Sequence, residues 1–446
     1  MKEKTVYIES LGCAKNQVDS EKMAALLEQH GWSLVDDSEN AVCIIINTCG
    51  FIESAKKEAI EVLFDAVKQK QSGKCSIVVA AGCLAQRYHE ALKDDFTNEE
   101  IDVIFGIGDI SKIADIVEDA YLNKQPSERV VVPEMTDDTL LDRKVSGFPG
   151  AAYLRISDGC SNHCTYCAIP SIRGPFRSRP SESVLAEAQK LASEGVKELV
   201  VVAQDTTRYG KDLYGKNALV PLLRALSNVD GIEWIRLLYL YPERIDDALI
   251  NEIATNEKIV KYMDIPLQHC SKNVLKRMNR HGDRETLTAL LNKIRESVPD
   301  VTIRTTFIAG FPGETEEEFN ELCEFIEKMR FERMGCFAYS EEEGTPAAKL
   351  DGMLDSEIRA DRADIINERQ NVILDEINDS LVGKTLYTIV EGYDSYSDSY
   401  FGRTTMDAPE IDTQISFTCG YELDDGDIVE VEIINVVDGE LTGEVI

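Results

Sequence analysis

Four short apolar runs punctuate the first 123 residues, and each leads into a segment whose apolar positions recur at helical spacing. "TVYIES" leads into "SEKMAALLEQHG", "AVCIIIN" into "ESAKKEAIEVLFDAVKQ", "SIVVAAG" into "LAQRYHEALKDDF", and "DVIFG" into "DISKIADIVEDAYLN". Strands covered on both faces read as unbroken apolar runs and alternate with helices. Residues 1–123 are therefore expected to form a small parallel α/β domain. Asp19 or Ser20 can cap its first helix, Gly31 can stop that helix, and Asp109 can cap the last one.

Residues 124–150 lose this rhythm and read as an interdomain linker. From 151 the alternation resumes through "AAYLRIS", "ELVVVAQ", "WIRLLYL", "YMDIPL", "VTIRTTFIAG" and "RMGCFAY". Six β/α units over 151–378 predict an open or partial TIM-type (β/α)6 barrel. A long amphipathic helix, roughly Asp355 to Ser380, leads out of it. Residues 379–446 change to short strands with Gly and Asp turns, the pattern of a small all-β, OB-like five-stranded barrel.

Composition narrows the class. Apolar residues make up 43% of the chain and charged ones 29%, which excludes wholesale disorder. The apolar runs are of core-strand length, and the start has no signal-peptide pattern, so a cytoplasmic protein is expected, with no membrane segment. No heptad pattern is evident, and a monomer is the default. The net charge is −34, and residues 379–446 hold 16 acidic side chains against two basic ones, Lys384 and Arg403. Such a module repels a phosphate backbone and attracts basic proteins, which weighs against nucleic-acid binding by the C-terminal barrel.

The twelve cysteines carry the candidate chemistry. Cys160, Cys164 and Cys167, spaced Cys-x3-Cys-x2-Cys, follow the first barrel strand, on the face where such barrels place their sites. Zinc would want a fourth donor, and His163 beside Cys164 is awkwardly placed to give one. A 4Fe–4S cluster on three thiolates, with one iron open for a small molecule, accounts better for the spacing. Cys13, Cys49 and Cys83 each end an apolar strand, so the carboxyl edge of a parallel sheet can bring them together. Each has a glycine neighbour (Gly12, Gly50, Gly82) that can let backbone approach an inorganic group. The alternative is three core thiols, the reading given to Cys43 and Cys75 at the opposite strand ends. Cys270, Cys323, Cys336 and Cys419 are isolated.

Cys-x3-Cys-x2-Cys at the first strand of a partial barrel resembles the signature of radical S-adenosylmethionine enzymes. Over essentially its whole length the chain resembles the methylthiotransferases among them, with a three-cysteine N-terminal domain, a radical barrel and a C-terminal TRAM barrel. The resemblance is carried by "CAIPSIRGPFRSRP", "FIAGFPGETEEEF", "YSEEEGTPAA" and "FGRT". "SLGCAKNQVDSEK", "YMDIPLQHCS", "RTTFIAGFPGE" and "GRTTMDAPEID" are most similar to the branch that modifies an aspartate of small-subunit ribosomal protein uS12. The transfer-RNA branch, acting on isopentenyladenosine, would more typically show "GCQMN" and "LPVQSGS". Ala14 stands where relatives often carry proline.

The resemblance implies two 4Fe–4S clusters, one on Cys13, Cys49 and Cys83 and one on Cys160, Cys164 and Cys167. S-adenosyl-L-methionine on the second would give a radical able to take hydrogen from an unactivated carbon. Sulfide or polysulfide sulfur would be handled at the first, and the product would be a methylthio group on the β-carbon of an aspartate. Flavodoxin or ferredoxin would supply electrons. Tyr166 is expected near the adenine, and Gln204 and Asp205, ending the second barrel strand, are candidate cofactor contacts. Arg173, Arg177 and Arg179 form a basic cluster that either binds a substrate carboxylate or makes interdomain salt bridges. His269 either lines the substrate pocket or is a packed, hydrogen-bonded histidine.

Overall fold

A computed structural model describes residues 3–123, 129–132, 134 and 142–446. The N-terminal domain runs β1 (Thr5–Ser10), α1 (Ala14–Gln29), β2 (Ser33–Leu34), β3 (Cys43–Thr48), α2 (Glu53–Ser72), β4 (Ile77–Gly82), α3 (Cys83–Asp95), β5 (Val103–Phe105), α4 (Ile113–Asn123) and β6 (Val130–Val131). Its sheet is wholly parallel, in the order β2-β1-β3-β4-β5-β6. β3 and β4 are buried throughout, as their unbroken apolar runs require. Gly31 (φ +81°) follows α1, and the Asp109 side chain accepts from Ser111 N at 3.2 Å in the turn before α4.

Two expectations are corrected here. α1 starts at Ala14 with Cys13 as its N-cap, so Asp19 and Ser20 lie inside the helix and cap nothing. Gly12 (φ +95°) turns the chain directly from β1 into that helix, leaving no room for a longer loop. The segment read as a linker also contributes an element, because β6 pairs parallel with β5 at the sheet edge. Residues 124–128, 133 and 135–141 of that segment lie outside the described residues.

The central domain continues with β7 (Ala151–Arg155), β8 (Ser157–Asp158), α5 (Ile169–Arg173), β9 (Arg177–Ser178), α6 (Ser181–Ser193), β10 (Glu198–Val202), α7 (Lys211–Tyr214), α8 (Leu219–Ser227) and β11 (Trp234–Leu237). Next come α9 (Asp247–Thr255), β12 (Ile259–Asp264), α10 (Lys272–Arg277), α11 (Arg284–Ser297), β13 (Thr302–Ala309), α12 (Glu316–Met329), β14 (Arg333–Ala338) and α13 (Ser356–Asp379). Its sheet has the order β14-β13-β12-β11-β10-β7, with every strand beside its chain neighbour and all parallel. This is the expected open barrel. β8 and β9 pair as a small ribbon that brackets the Cys160–Cys167 loop.

Alternate strand residues settle what covers each face. Leu154, Leu199, Ile235 and Ile303 point outward into the large core shared with the helices. Tyr153, Val200, Trp234 and Tyr262 point inward, where they meet Ala14 and Val18 of α1 and Ile389 and Ala408 of the C-terminal module. Three domains therefore share one interior.

The C-terminal module is a closed barrel of β15 (Thr385–Asp394), β16 (Ser399–Thr404), β17 (Ile415–Thr418), β18 (Ile428–Val437) and β19 (Glu440–Val445). The segment between β16 and β17 reaches back into the central sheet. Arg236 donates to Thr405 O at 2.9 Å, Arg333 pairs with Asp407 at 2.6 Å, and Tyr262 donates to Asp412 at 2.6 Å. Arg403 joins Glu198 of β10 (2.8 Å) to Glu391 of β15 (2.5 Å), all of it buried. Among the described residues, no helix is long and apolar enough to cross a membrane.

Candidate functional site

Cys49 and Cys83 follow β3 and β4 directly and Cys13 comes three residues after β1, all at the carboxyl edge of the N-terminal sheet. The three thiols lie within electrostatic reach of one another. The glycines beside them serve a different purpose from the one expected. A Cβ on Gly12 would stand 2.8 Å from Cys49 Cβ, and one on Gly50 would stand 2.7 Å from the α3 backbone at Leu84. They bring the cysteine loops against each other. Burial pushes the Cys83 thiol up to about 12. At Cys13 burial also acts upward, but the charges of Lys15 and Arg173 outweigh it and lower the pKa.

Cys160, Cys164 and Cys167 lie in the loop between β8 and α5, at the carboxyl face of the central sheet. Burial pushes Cys167 up to about 12, helped by the neighbouring Cys164 and Cys160 thiols. The Tyr241 hydroxyl lies 3.6 Å from Cys164 Sγ. Tyr166 packs beside Val274, Met278, Phe311 and Tyr339, and burial followed by the Cys164 thiol holds its phenol well above the usual range.

Arg173 joins the two sets. Only 1% exposed, it ends α5 and donates to Asn16 Oδ1 at 2.8 Å and to Asp19 Oδ2 at 3.0 Å, with Cys83 Sγ at 3.6 Å. Its other nitrogen reaches Asp158, 3.3 Å away, two positions before Cys160. A guanidinium committed to two carboxylates and a carboxamide has no face left for a substrate, so Arg173 is an interdomain salt-bridge residue and its substrate reading is corrected. Arg177 donates to the carbonyls of Pro175 (3.0 Å) and Arg173 (3.3 Å), shaping the same turn. Arg179 is likewise engaged, pairing with Glu187 at 2.5 Å.

Gln204 and Asp205 do reach this face, but both are tied to the cysteine loop. Gln204 donates to Asp158 at 3.1 Å, while its buried carbonyl oxygen has no hydrogen-bond partner. Asp205, wholly buried, accepts from Asn162 of the loop at 2.8 Å and from Arg244 at 2.7 Å. It positions the loop.

His269 is also corrected, from pocket residue to packed histidine. It is fully buried, its Nδ1 accepts from Ser271 N at 2.9 Å, and its Nε2 faces Glu314 at 3.3 Å. Glu314 in turn accepts from Arg362 of α13 at 2.6 Å.

Sequence reasoning missed Lys15, Tyr239 and Asp158. Asp158 directly precedes the cysteine loop, where a carboxylate could have been noticed. Lys15 sits in the first turn of α1, where the helix dipole disfavours a cation, and that conflict was a legible signal. Tyr239 has a left-handed backbone (φ +61°), which no residue pattern announces.

The donor sets can be tested against the groups they would hold. All twelve cysteines are free thiols. Among the described residues, no three His, Cys, Asp or Glu side chains close around a single metal ion, as tetrahedral zinc would ask. A cubane binds its thiolates through separate irons and asks only for three thiols around a wider space. Each triplet gathers three thiols at one sheet edge, the donor type and number that such a cluster takes.

Residues 5–106 match uncharacterized protein family UPF0004, residues 154–326 the radical SAM superfamily, and residues 382–446 the TRAM domain. A solved radical S-adenosylmethionine methyltransferase, TsrM from Kitasatospora setae, shares the fold at a TM-score of 0.55 and 14% identity, over 77% of each chain. The chain is 46% identical to the ribosomal protein uS12 methylthiotransferase RimO of Acetivibrio thermocellus, over 99% of this chain and 98% of that one. It is 44% identical to the RimO of Clostridioides difficile, again over 99% and 98%. Because the likeness spans all three domains and both cysteine triplets, the chain belongs to the uS12 methylthiotransferase family of radical SAM enzymes.

Proposed function

We propose that this protein is a radical S-adenosylmethionine methylthiotransferase that places a methylthio group on the β-carbon of an aspartate in ribosomal protein uS12. The observation that carries the reading is the pair of three-thiol sets joined across the domain boundary by Arg173. Cys13, Cys49 and Cys83, and Cys160, Cys164 and Cys167, would each hold a cluster, which with S-adenosylmethionine would supply radical chemistry at an unactivated carbon and a source of methylated sulfur. Sulfide or a polysulfide supplies the sulfur, and a flavodoxin or ferredoxin the electrons.

The chain's own residues hold the two sets in register. Arg173 fixes the spacing between α1 and the Asp158 turn, and Asp205, through Asn162, holds the cysteine loop open over the sheet. Cys160 and Cys164, each 9% exposed, sit where water is largely excluded, which protects a reactive radical. The transfer-RNA alternative is not favoured, since the full-length relatives are uS12 methylthiotransferases. The acidic C-terminal barrel points the same way.

The test is mass spectrometry of uS12 and of an isopentenyladenosine transfer RNA after incubation with reconstituted enzyme, reductant, sulfide and S-adenosylmethionine. One methylthio group on an aspartate, with the RNA unchanged, is expected. Modification of the RNA alone overturns the substrate assignment.

A further inference from the structure

Two residues beyond Cys13, the fold buries a positive charge beside a thiol and a tyrosine but no carboxylate. Lys15 is 6% exposed, and its ammonium lies 3.7 Å from the centre of the Tyr239 ring. Among the described residues, no carboxylate stands within ion-pair distance of it. Other buried cations of this region are matched: Arg173 by Asp19, Arg304 by Asp264, Arg244 by Asp205. A buried ammonium over a ring, with the Cys13 thiol rather than a carboxylate beside it, is costly, and the amino end of α1 opposes it further. A carboxylate arriving from outside would complete it.

Its place says which anion. Tyr239 follows β11, held in its left-handed conformation (φ +61°) by a hydrogen bond from its amide to Asp264 at 2.9 Å. The same turn carries Tyr241, whose hydroxyl is 3.6 Å from Cys164 Sγ. Lys15 and Tyr239 therefore link the Cys13 loop to the turn that touches Cys164, and the reacting carbon has to be presented to both sets. In an aspartate, the carboxylate is one bond from the β-carbon, so whatever grips the carboxylate fixes the carbon.

We propose that Lys15, lying over Tyr239, binds the side-chain carboxylate of the target aspartate and thereby selects that residue for modification. The assignment rests on the aspartate-directed function inferred above. The rival role for the charge is to balance an anionic cluster on Cys13, Cys49 and Cys83.

The experiment compares two synthetic uS12 peptides, one with the target aspartate and one with asparagine in its place, on reconstituted holoenzyme. Wild type is expected to bind the aspartate peptide at least about tenfold more tightly, the value of one charge-assisted hydrogen bond. Lys15→Met is expected to bind both alike with the iron content of wild type, and Lys15→Arg to recover part of the preference. A Lys15→Met enzyme that keeps the preference, or that loses one cluster's iron, overturns the inference, as does a wild type with no preference. The wild-type comparison stands even if the methionine variant does not fold. If wild type fails to methylthiolate intact uS12, the functional reading falls, and this inference with it. If it succeeds and only the peptide preference is absent, this inference alone falls.

Discussion

Arg173 in the central domain and Asp19 in α1 meet at 3.0 Å in a buried ion pair that crosses the domain boundary. The same guanidinium also touches the Asp158 turn and Cys83, so one side chain sets the distance between two groups of thiols remote in sequence.

Replacing Arg173 with Ala leaves Asp19 facing fewer cations and costs stability on the order of 3–5 kcal/mol. Urea unfolding should show the loss, and limited proteolysis should cut between the first two domains sooner. Arg173→Lys should not restore the wild-type midpoint, since a point charge cannot reach both carboxylates. Unchanged unfolding in the alanine variant would remove Arg173 from its bridging role.

The triplets are expected to load independently. Cys160→Ala, Cys164→Ala or Cys167→Ala should each halve the iron content, from about eight to about four atoms per chain, and abolish S-adenosylmethionine cleavage. Substituting Cys13, Cys49 or Cys83 should also halve the iron while that cleavage persists. Cys43→Ala and Cys75→Ala, at the opposite strand ends, should leave the iron content whole.

Glu187 gives the stability a defined acid limb. Burial acts to raise its pKa, but Arg143 and Arg179 outweigh it and hold the carboxyl down to about 2 from 4.5. A depressed native pKa stabilises above the unfolded value, so this contribution, about 3 kcal/mol, is complete above roughly pH 5. It is lost as the pH falls from 4.5 towards 2. Urea midpoints measured across that window should fall less steeply for Glu187→Gln than for wild type, and equal slopes would refute the assignment.

Arg403→Ala should leave Glu391 without its cation and Glu198 with Arg236 alone, and cost about 3–5 kcal/mol. Trp234, on the inner face beside Ala408 of the C-terminal module, is the natural reporter. Its fluorescence should shift to the red at lower urea than in wild type.

Much of this architecture could be read from the chain because β3, β4 and most central strands are buried on both faces, so their apolar runs are unbroken. α1 was harder. Its first half, "AKNQVDSEK", buries Lys15, Asn16, Asp19, Ser20, Glu21 and Lys22. Those polar side chains meet other loops and domains, and the pattern that marks a helix against one core fails where its face is a junction. β2 and β6, two residues each, were too short to announce themselves. The cysteine positions were visible because sheet topology forces strand ends together. The fate of Arg173 and His269 was not, since basic residues and histidines look the same in sequence whether they meet a substrate or a buried carboxylate.

The reach of residues 403–412 into the central sheet bears on how the molecule comes into being. The interior wall beside Tyr153 and Tyr262 is finished by a part of the chain synthesised after all six central strands. A nascent chain that has completed all six central strands still lacks the residues that close this wall, so the central domain reaches its final packing only once residues 403–412 have been made. A stop codon shortly before this segment would thus yield a polypeptide with an open interior wall and unpaired Arg333 and Tyr262, rather than a shorter copy of the same fold.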